Sequence, residues 1–408
     1  MKRKLAIFII FIVFCIFSLS GCKEIRGLDS FSYVIAIGFD KGTSNSLKLT
    51  FQFALPSNSS SDESTSQSSD STIISVECSS FDSGINLVNS YITKVINLSH
   101  CKVVVFSETL AYEGISEHLY SILNNVDIRP TCNVLVSRTT AEEFLNKSKP
   151  VLETHTARYY DAIRTTNRNT GYAEDLNLFD FFSDYKGSFV QATATLVGVN
   201  FDATHSTPSN TPDIDLDSSY KAGETPITAK LEVENMGTAV FYDDKLVGEL
   251  NGIETVCYLL CSNKFHHATI SIVNPLKENS QVTLYISQER KTKNEVDIVN
   301  GSPFISTNIS LRANILSANI DSDFSTTDSF YSLEQYINQY FQEQVSAFLY
   351  KTAKSFNSDI VGFGENIRKD YLFIDDINKV NWLENYRNSF FECQVETTVE
   401  SGLILLKT

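Results

Sequence analysis

Positive charge is scarce in this 408-residue chain: 33 Lys and Arg stand against 49 Asp and Glu, a net charge of −16. So acidic a surface repels phosphate backbones, which excludes nucleic acid as a partner. It also offers no broad basic face with which to lie on a membrane. Signatures of catalysis are missing as well: the sequence contains no HExxH, no GxSxG and no GxxxxGK[ST], the patterns of zinc peptidases, nucleophile elbows and P-loops. "GFGENI" (362–367) has two glycines without the third or a surrounding βαβ unit, and reads as a turn. In "CYLLCSNKFHH", Cys257 and Cys261 share a helix face with Ile253 and Leu260, which marks core. Adjacent histidines such as His266 and His267 usually point apart, so no metal site is expected there. The acidic pairs Asp243-Asp244 and Asp375-Asp376 sit in polar turns, where carboxylates cap backbone amides. His100, His118, His155 and His205 are scattered, with no partner that spacing assigns. The expectation is a protein that is not an enzyme and carries no cofactor.

Long hydrophobic runs are absent except at the start. "MKRK" precedes an apolar run over residues 5–19, the layout of a charged n-region and an h-region. A helix of that length reaches only ~22 Å, short of the ~30 Å hydrocarbon core, so the segment reads as a signal sequence rather than a span. It ends in "LSGC", which resembles the bacterial lipobox. Cleavage between Gly21 and Cys22 is expected, with Cys22 carrying a diacylglyceryl group as the new N-terminus and the protein anchored outside a cytoplasmic membrane. Two acyl chains give stable anchoring where one is marginal. Of the remaining cysteines, Cys78, Cys101, Cys132, Cys257, Cys261 and Cys393 are widely spaced and are expected mostly as buried free thiols.

What is present is ordinary globular composition, 42% hydrophobic and 12% aromatic, in a chain long enough for two or three domains. Two strands flank a turn in "VIAIGFDKGTSNSLKLTFQFAL", and a Ser-rich loop follows at 57–71. From residue 73 strands and helices alternate: "TIISVEC", a helix through Ile85, Val88, Ile92 and Val95, the buried-strand run "KVVVFS", a helix over 115–123, and "CNVLVS". "TTAEEFL" offers two overlapping capping boxes, Thr139/Glu142 and Thr140/Glu143. Another strand is read in "GSFVQATATLVGV". The second half reads as strands "ITAKLEVE", "GTAVFYD" and "KLVGEL", a helix "IETVCYLLC", three more strands, a long helix from near Ser332 and a closing strand "FFECQVETTVE". The fold class is mixed α/β or α+β, a multi-domain ectodomain of mixed sheets packed with helices. Its expected parts are a signal peptide at 1–21, an N-terminal α/β region at 22–201 with a separable subdomain at 73–150, a linker or long loop at 202–226, and a C-terminal α+β domain at 227–408.

These residues resemble a known family, the Ger(x)C lipoproteins, C subunits of GerA-type nutrient germinant receptors of spore-forming Gram-positive bacteria. The resemblance runs from Cys22 and "VIAIGFDKG" through "HCKVVVFSETLAYEGISEHLYSILNNVDIRPTCNVLVSRTTAEEFL" (100–145). It continues with "GTAVFYDDKLVGELNGIET" (237–255), "SDIVGFGENIRKDY" and "VETTVESGLI". The polar stretch after Cys22 lacks the Trp often found there in the family. The resemblance implies several α/β modules and a non-enzymatic, lipid-anchored subunit on the outer face of the spore inner membrane. It would assemble with polytopic A and B subunits in a complex that answers small nutrients. Arg129 in "DIRPT" and Asp243, Asp244 and Lys245 in "YDDKLVG" are candidate partner contacts, although each stretch also reads as a simple turn. The alternative is a solute-binding lipoprotein feeding a transporter.

Overall fold

Strand β1 (Phe31–Lys41) alternates little and is buried through seven consecutive residues, as a central strand must be. It lies between antiparallel β2 (Leu47–Ala54) and parallel β5 (Val103–Ser107). These belong to a computed structural model that describes residues 30–400 apart from 45, 56–69, 151, 154, 201–217, 278–279, 319–323, 325 and 369–380. The signal-like segment with Gly21 and Cys22, most of the Ser-rich stretch and most of the expected linker lie outside the described residues.

The first sheet has the order β3-β2-β1-β5-β6-β7-β8-β9, with β3 (Ser71–Cys78), β6 (Asn133–Ser137), β7 (Thr193–Val199), β8 (Val233–Tyr242) and β9 (Lys245–Leu250); the short β4 (Val95–Asn97) pairs with β1. β1, β4, β5, β6 and β7 run parallel, and β2, β3, β8 and β9 close the sheet with antiparallel edges. "VVVFS" and "NVLVS" are buried at every residue, because helices cover both faces. One face packs on α1 (Phe81–Tyr91), α2 (Glu108–Glu113), α3 (Ser116–Asn124) and α6 (Leu178–Lys186), through Phe81, Val88, Leu110, Leu119 and Phe181. The other packs on α4 (Ala141–Lys147) and α5 (Thr156–Thr170), through Phe144, Leu145, Tyr160 and Ile163.

Two expected boundaries do not coincide with the sheets. The stretch 202–226 does not separate the two sheets: β7 pairs with β8 across it, so the first sheet takes its last two strands from the C-terminal half. Residues 73–150 are not set apart either, since β3, β5 and β6 share the sheet of β1. The strand expected in "ITAKLEVE" begins only at Val233. Glu234 accepts hydrogen bonds from the Gly223 and Thr225 amides at 2.6 and 3.3 Å, which holds the preceding segment in a loop.

The second sheet, β10 (His267–Val273), β11 (Gln281–Val299), β12 (Ser302–Ala318) and β13 (Phe390–Glu400), is antiparallel except for the β12–β13 pair. Alternate residues of β12 are buried, as in a sheet with one face on the core and one in water. Helix α8 (Thr327–Tyr350) lays Leu333, Ile337, Phe341, Val345, Phe348 and Leu349 against it. Helix α7 (Gly252–Cys261) is buried along its whole length between the sheets. A π-helical turn, Lys351–Phe356, prolongs α8, and the short helices α9 (Gly364–Arg368) and α10 (Trp382–Tyr386) complete the layer.

Candidate functional site

The β8–β9 hairpin, with α7 behind it, is where both modules meet. At its turn Asp243 takes a left-handed φ of 55°, a conformation Asp and Asn tolerate better than most residues. Its amide donates to Gln191 Oε1 at 2.6 Å. Asp244 turns inward: Oδ2 accepts from Ser116 Oγ at 2.7 Å, and its carbonyl accepts from the Ile115 amide at 3.0 Å. The carboxylate thus sits at the N-terminus of α3, where negative charge is favoured. Gly114 makes the approach possible, with φ of 124° and an ideal Cβ position 2.7 Å from Asp244 Oδ2. The motifs "LAYEGIS" and "YDDKLVG" therefore touch one another.

Further along the hairpin, Gly248 is flat against the Phe356 ring, and a Cβ there would overlap the ring carbons. Asn251 and Glu254 form a reciprocal capping box at 2.9 and 3.0 Å that starts α7. The same Glu254 carboxylate accepts from Lys351 Nζ at 2.7 Å. Ser358 Oγ donates to the Phe241 carbonyl at 2.6 Å, and the Gln191 amide donates to the Asp359 carbonyl at 2.9 Å. Residues 237–255 thus tie the first sheet to the end of α8 and to the loop after it.

A buried carboxylate makes a second tie. Glu174, in the α5–α6 connection and 1% exposed, accepts from Lys264 Nζ at 2.7 Å, Tyr258 hydroxyl at 2.8 Å and Thr193 Oγ1 at 2.5 Å. Burial would lower the Lys264 pKa, but Glu174 and Tyr258 reverse that and hold it above its ordinary value. Beside this network lies a cavity of about 460 Å³ that includes Arg168, Asp180, Asp184, Lys264 and His266 in its lining. Burial pushes the Asp184 carboxyl up to about 6, against the pull of Lys264.

Of the residues singled out from sequence, Asp243, Asp244 and Lys245 share the hairpin turn, but only Asp243 and Lys245 are exposed. Arg129 is exposed on the loop before β6, at a notch of its own. "GFGENI" is a turn at 362–363 that runs straight into α9, organised by Asp359, whose Oδ1 accepts from the Gly362 and Phe363 amides, and whose Oδ2 accepts from Gly364 N and Trp382 Nε1. Cys78, Cys101, Cys132, Cys257 and Cys261 are buried free thiols and Cys393 is partly buried. Burial raises Cys132, Cys257 and Cys261 well above the ordinary thiol range and Cys393 to about 12, which suits packing rather than nucleophilic attack. Among the described residues no three His, Cys, Asp or Glu side chains gather as metal ligands. Nothing in the sequence marks Glu174: in "GYAEDLN" it looks like any surface acid. The capping box Asn251-x-x-Glu254, by contrast, has a spacing legible in the sequence.

A mixed α+β protein of two sheets, joined through a hairpin rather than a linker, is the class these features define. Two family models divide the chain by sequence rather than by sheet, with most of β8 and all of β9 falling to the C-terminal one. "Spore germination protein N-terminal domain" matches residues 25–199, and "Spore germination B3/ GerAC like, C-terminal" matches residues 236–402. The chain belongs to the Ger(x)C family of spore germination proteins. A relative in Bacillus subtilis (strain 168), "Putative spore germination protein YfkR", is 20% identical over 415 residues, covering 100% of this chain and 99% of that protein. The crystal structure of the GerBC protein aligns with a TM-score of 0.50 at 17% identity, over 92% of this chain and 99% of that one. It shares the fold.

Proposed function

We propose that this chain is the C subunit of a nutrient germinant receptor, lipid-anchored through Cys22 on the outer face of the spore inner membrane. There it works as a non-enzymatic scaffold that assembles with polytopic A and B subunits and helps to start germination in response to small nutrients. The observation that carries the reading is the match of both family models, in order, along most of the chain, behind a "LSGC" lipobox. Among the described residues no helix is long and apolar enough to cross a membrane. Exposed Asp243, Lys245 and Arg129 are the candidate contacts with the other subunits; Asp244 is the weaker candidate, its carboxylate being engaged by α3.

The test is purification of the tagged protein from dormant spores in mild detergent, with co-purifying proteins identified by mass spectrometry. Two polytopic partners are expected; recovery alone or with an ATP-driven permease overturns the reading. One observation favours the alternative, a solute-binding lipoprotein: the polar cavity beside Glu174 carries both acidic and basic side chains, as a zwitterion would require. Against it, the two sheets differ in strand number and order, so the chain lacks two similar lobes. Calorimetric titration of the full chain with amino acids separates the two, and tight stoichiometric binding would sink the scaffold.

A further inference from the structure

The chain is acidic as a whole, but one notch is not. It lies at the edge of the first sheet where the parallel strands β1, β5 and β6 begin. Residues 99–102 lead into β5 and 129–132 lead into β6; Lys102 N donates to the Ile35 carbonyl of β1, and Asn133 N donates to the Lys102 carbonyl, which ties the three together. The notch encloses about 160 Å³, room for roughly five waters at ~30 Å³ each, and so for one four-oxygen anion. Lys102, Arg129 and Arg164 line it with His100 and a single carboxylate, Asp161.

These cations differ in what holds them. Lys102 Nζ pairs with Asp161 at 2.9 Å, and Arg164 pairs with Asp175, which is outside the lining. Arg129 is exposed and forms no ion pair with a described carboxylate. A guanidinium left free at the mouth of a basic notch can take an oxyanion through two parallel N–H bonds. Asn133, 4% exposed, lines the same notch, and its Oδ1 has no hydrogen-bond partner among the described residues. A monoprotonated phosphate offers what Arg129 lacks, acceptor oxygens.

We propose that this notch is an oxyanion site for a phosphate-class group, with Arg129 as its principal ligand. A phospholipid headgroup is one source of such a group, since the notch lies close to the start of β1. The Tyr33 ring, on the third residue of β1, meets His100 edge-on at 4.9 Å. Cys22 is nine residues before Phe31, a reach of at most ~32 Å at ~3.5 Å per residue. This last step rests on the lipid anchor of the proposed function; the oxyanion site itself does not.

The test is amide hydrogen exchange on the full chain in mild detergent, with inorganic phosphate titrated against sodium chloride at matched ionic strength. Slowed exchange across 99–102 and 129–133 is expected with phosphate alone. The exposed side chain makes Arg129→Ala a variant that should fold, and it should weaken the response about tenfold or more, while Lys245→Ala leaves it intact. The full chain in nanodiscs of phosphatidylglycerol, compared with phosphatidylcholine, then assigns the source. Protection in the anionic discs without added phosphate supports a lipid headgroup. Protection by phosphate and by neither lipid supports the site with a soluble oxyanion as its ligand. Equal exchange in phosphate and chloride overturns the proposal, and does so whatever the co-purification from spores reveals.

Discussion

At the scale of single residues, carboxylates in this protein serve mainly to order backbone. Asp40, 3% exposed at the end of β1, accepts from the Ala141 and Glu142 amides at 2.7 and 2.9 Å and so starts α4. Only half of one expected capping box forms, Thr140 accepting from Glu143 N at 3.1 Å, because Asp40 already holds the Glu142 amide. Sequence spacing cannot see a cap that arrives from a hundred residues away. Asp40→Ala removes both bonds and leaves the amides buried, and should cost about 2–3 kcal/mol in denaturant unfolding; a loss under half that figure would show that water replaces the carboxylate. Asp184 acts oppositely. Burial lifts its pKa to about 6 from an ordinary value of 3.8, so the folded state binds its proton more tightly than the unfolded state. Its contribution is fully present below the unfolded value and is lost as pH rises through about 6. Asp184→Asn should therefore raise the thermal midpoint at pH 7.5 and leave it unchanged at pH 3.5. A gain at both values would point to packing instead.

At the scale of elements, most of the regular structure is legible in the sequence where the apolar pattern is strong. "KVVVFS", "CNVLVS", the long amphipathic helix and the alternating final strand all stand where periodicity puts them. Helix α5, "TARYYDAIRTTNRNT", is not legible, because its few buried apolar residues, among them Tyr160 and Ile163, leave almost no stripe. Helix α6 does carry a local signal, a start at Asn177, which accepts from the Phe179 and Asp180 amides. β11 runs to Val299, ten residues past the expected "QVTLYISQE", because its partner β12 continues the ladder through polar residues that carry no alternation signal. The hairpin is legible as a turn, but its importance lies in what lands on it. Gly248→Ala should force the Phe356 ring away and cost about 1–3 kcal/mol. Phe356→Ala in the same chain should recover part of that loss, since the two changes share one contact. Additive losses in the double variant would mean that the ring does not press on Gly248.

For the whole molecule, the decisive feature is that the sheets and the sequence halves divide the chain differently. The polar stretch 202–226 reads as a domain boundary because its composition cannot build a core, and composition says nothing about which strands pair across it. β8 and β9 cover the edge of β7, while Val240 and Leu250 of the same two strands belong to the core of the second module with α7 and α8. Glu174 and Lys264 cross the same boundary at 2.7 Å. The first sheet cannot then be completed without the hairpin, which also lends Val240 and Leu250 to the core of the second module, and the hairpin cannot bury both of its faces without both modules. Thermal unfolding of the full chain should proceed as one transition, read alike by far-ultraviolet circular dichroism and by the fluorescence of Trp382, which lies 3% exposed in the second module. A chain stopped at residue 201 leaves β7 as an open edge, with Thr193 and Val199 among the residues that lose their pairing to β8. Such an edge invites pairing with other chains, so that fragment should aggregate. Two resolved transitions, or a soluble monomer ending at 201, would mean that the modules are held side by side rather than built through one another.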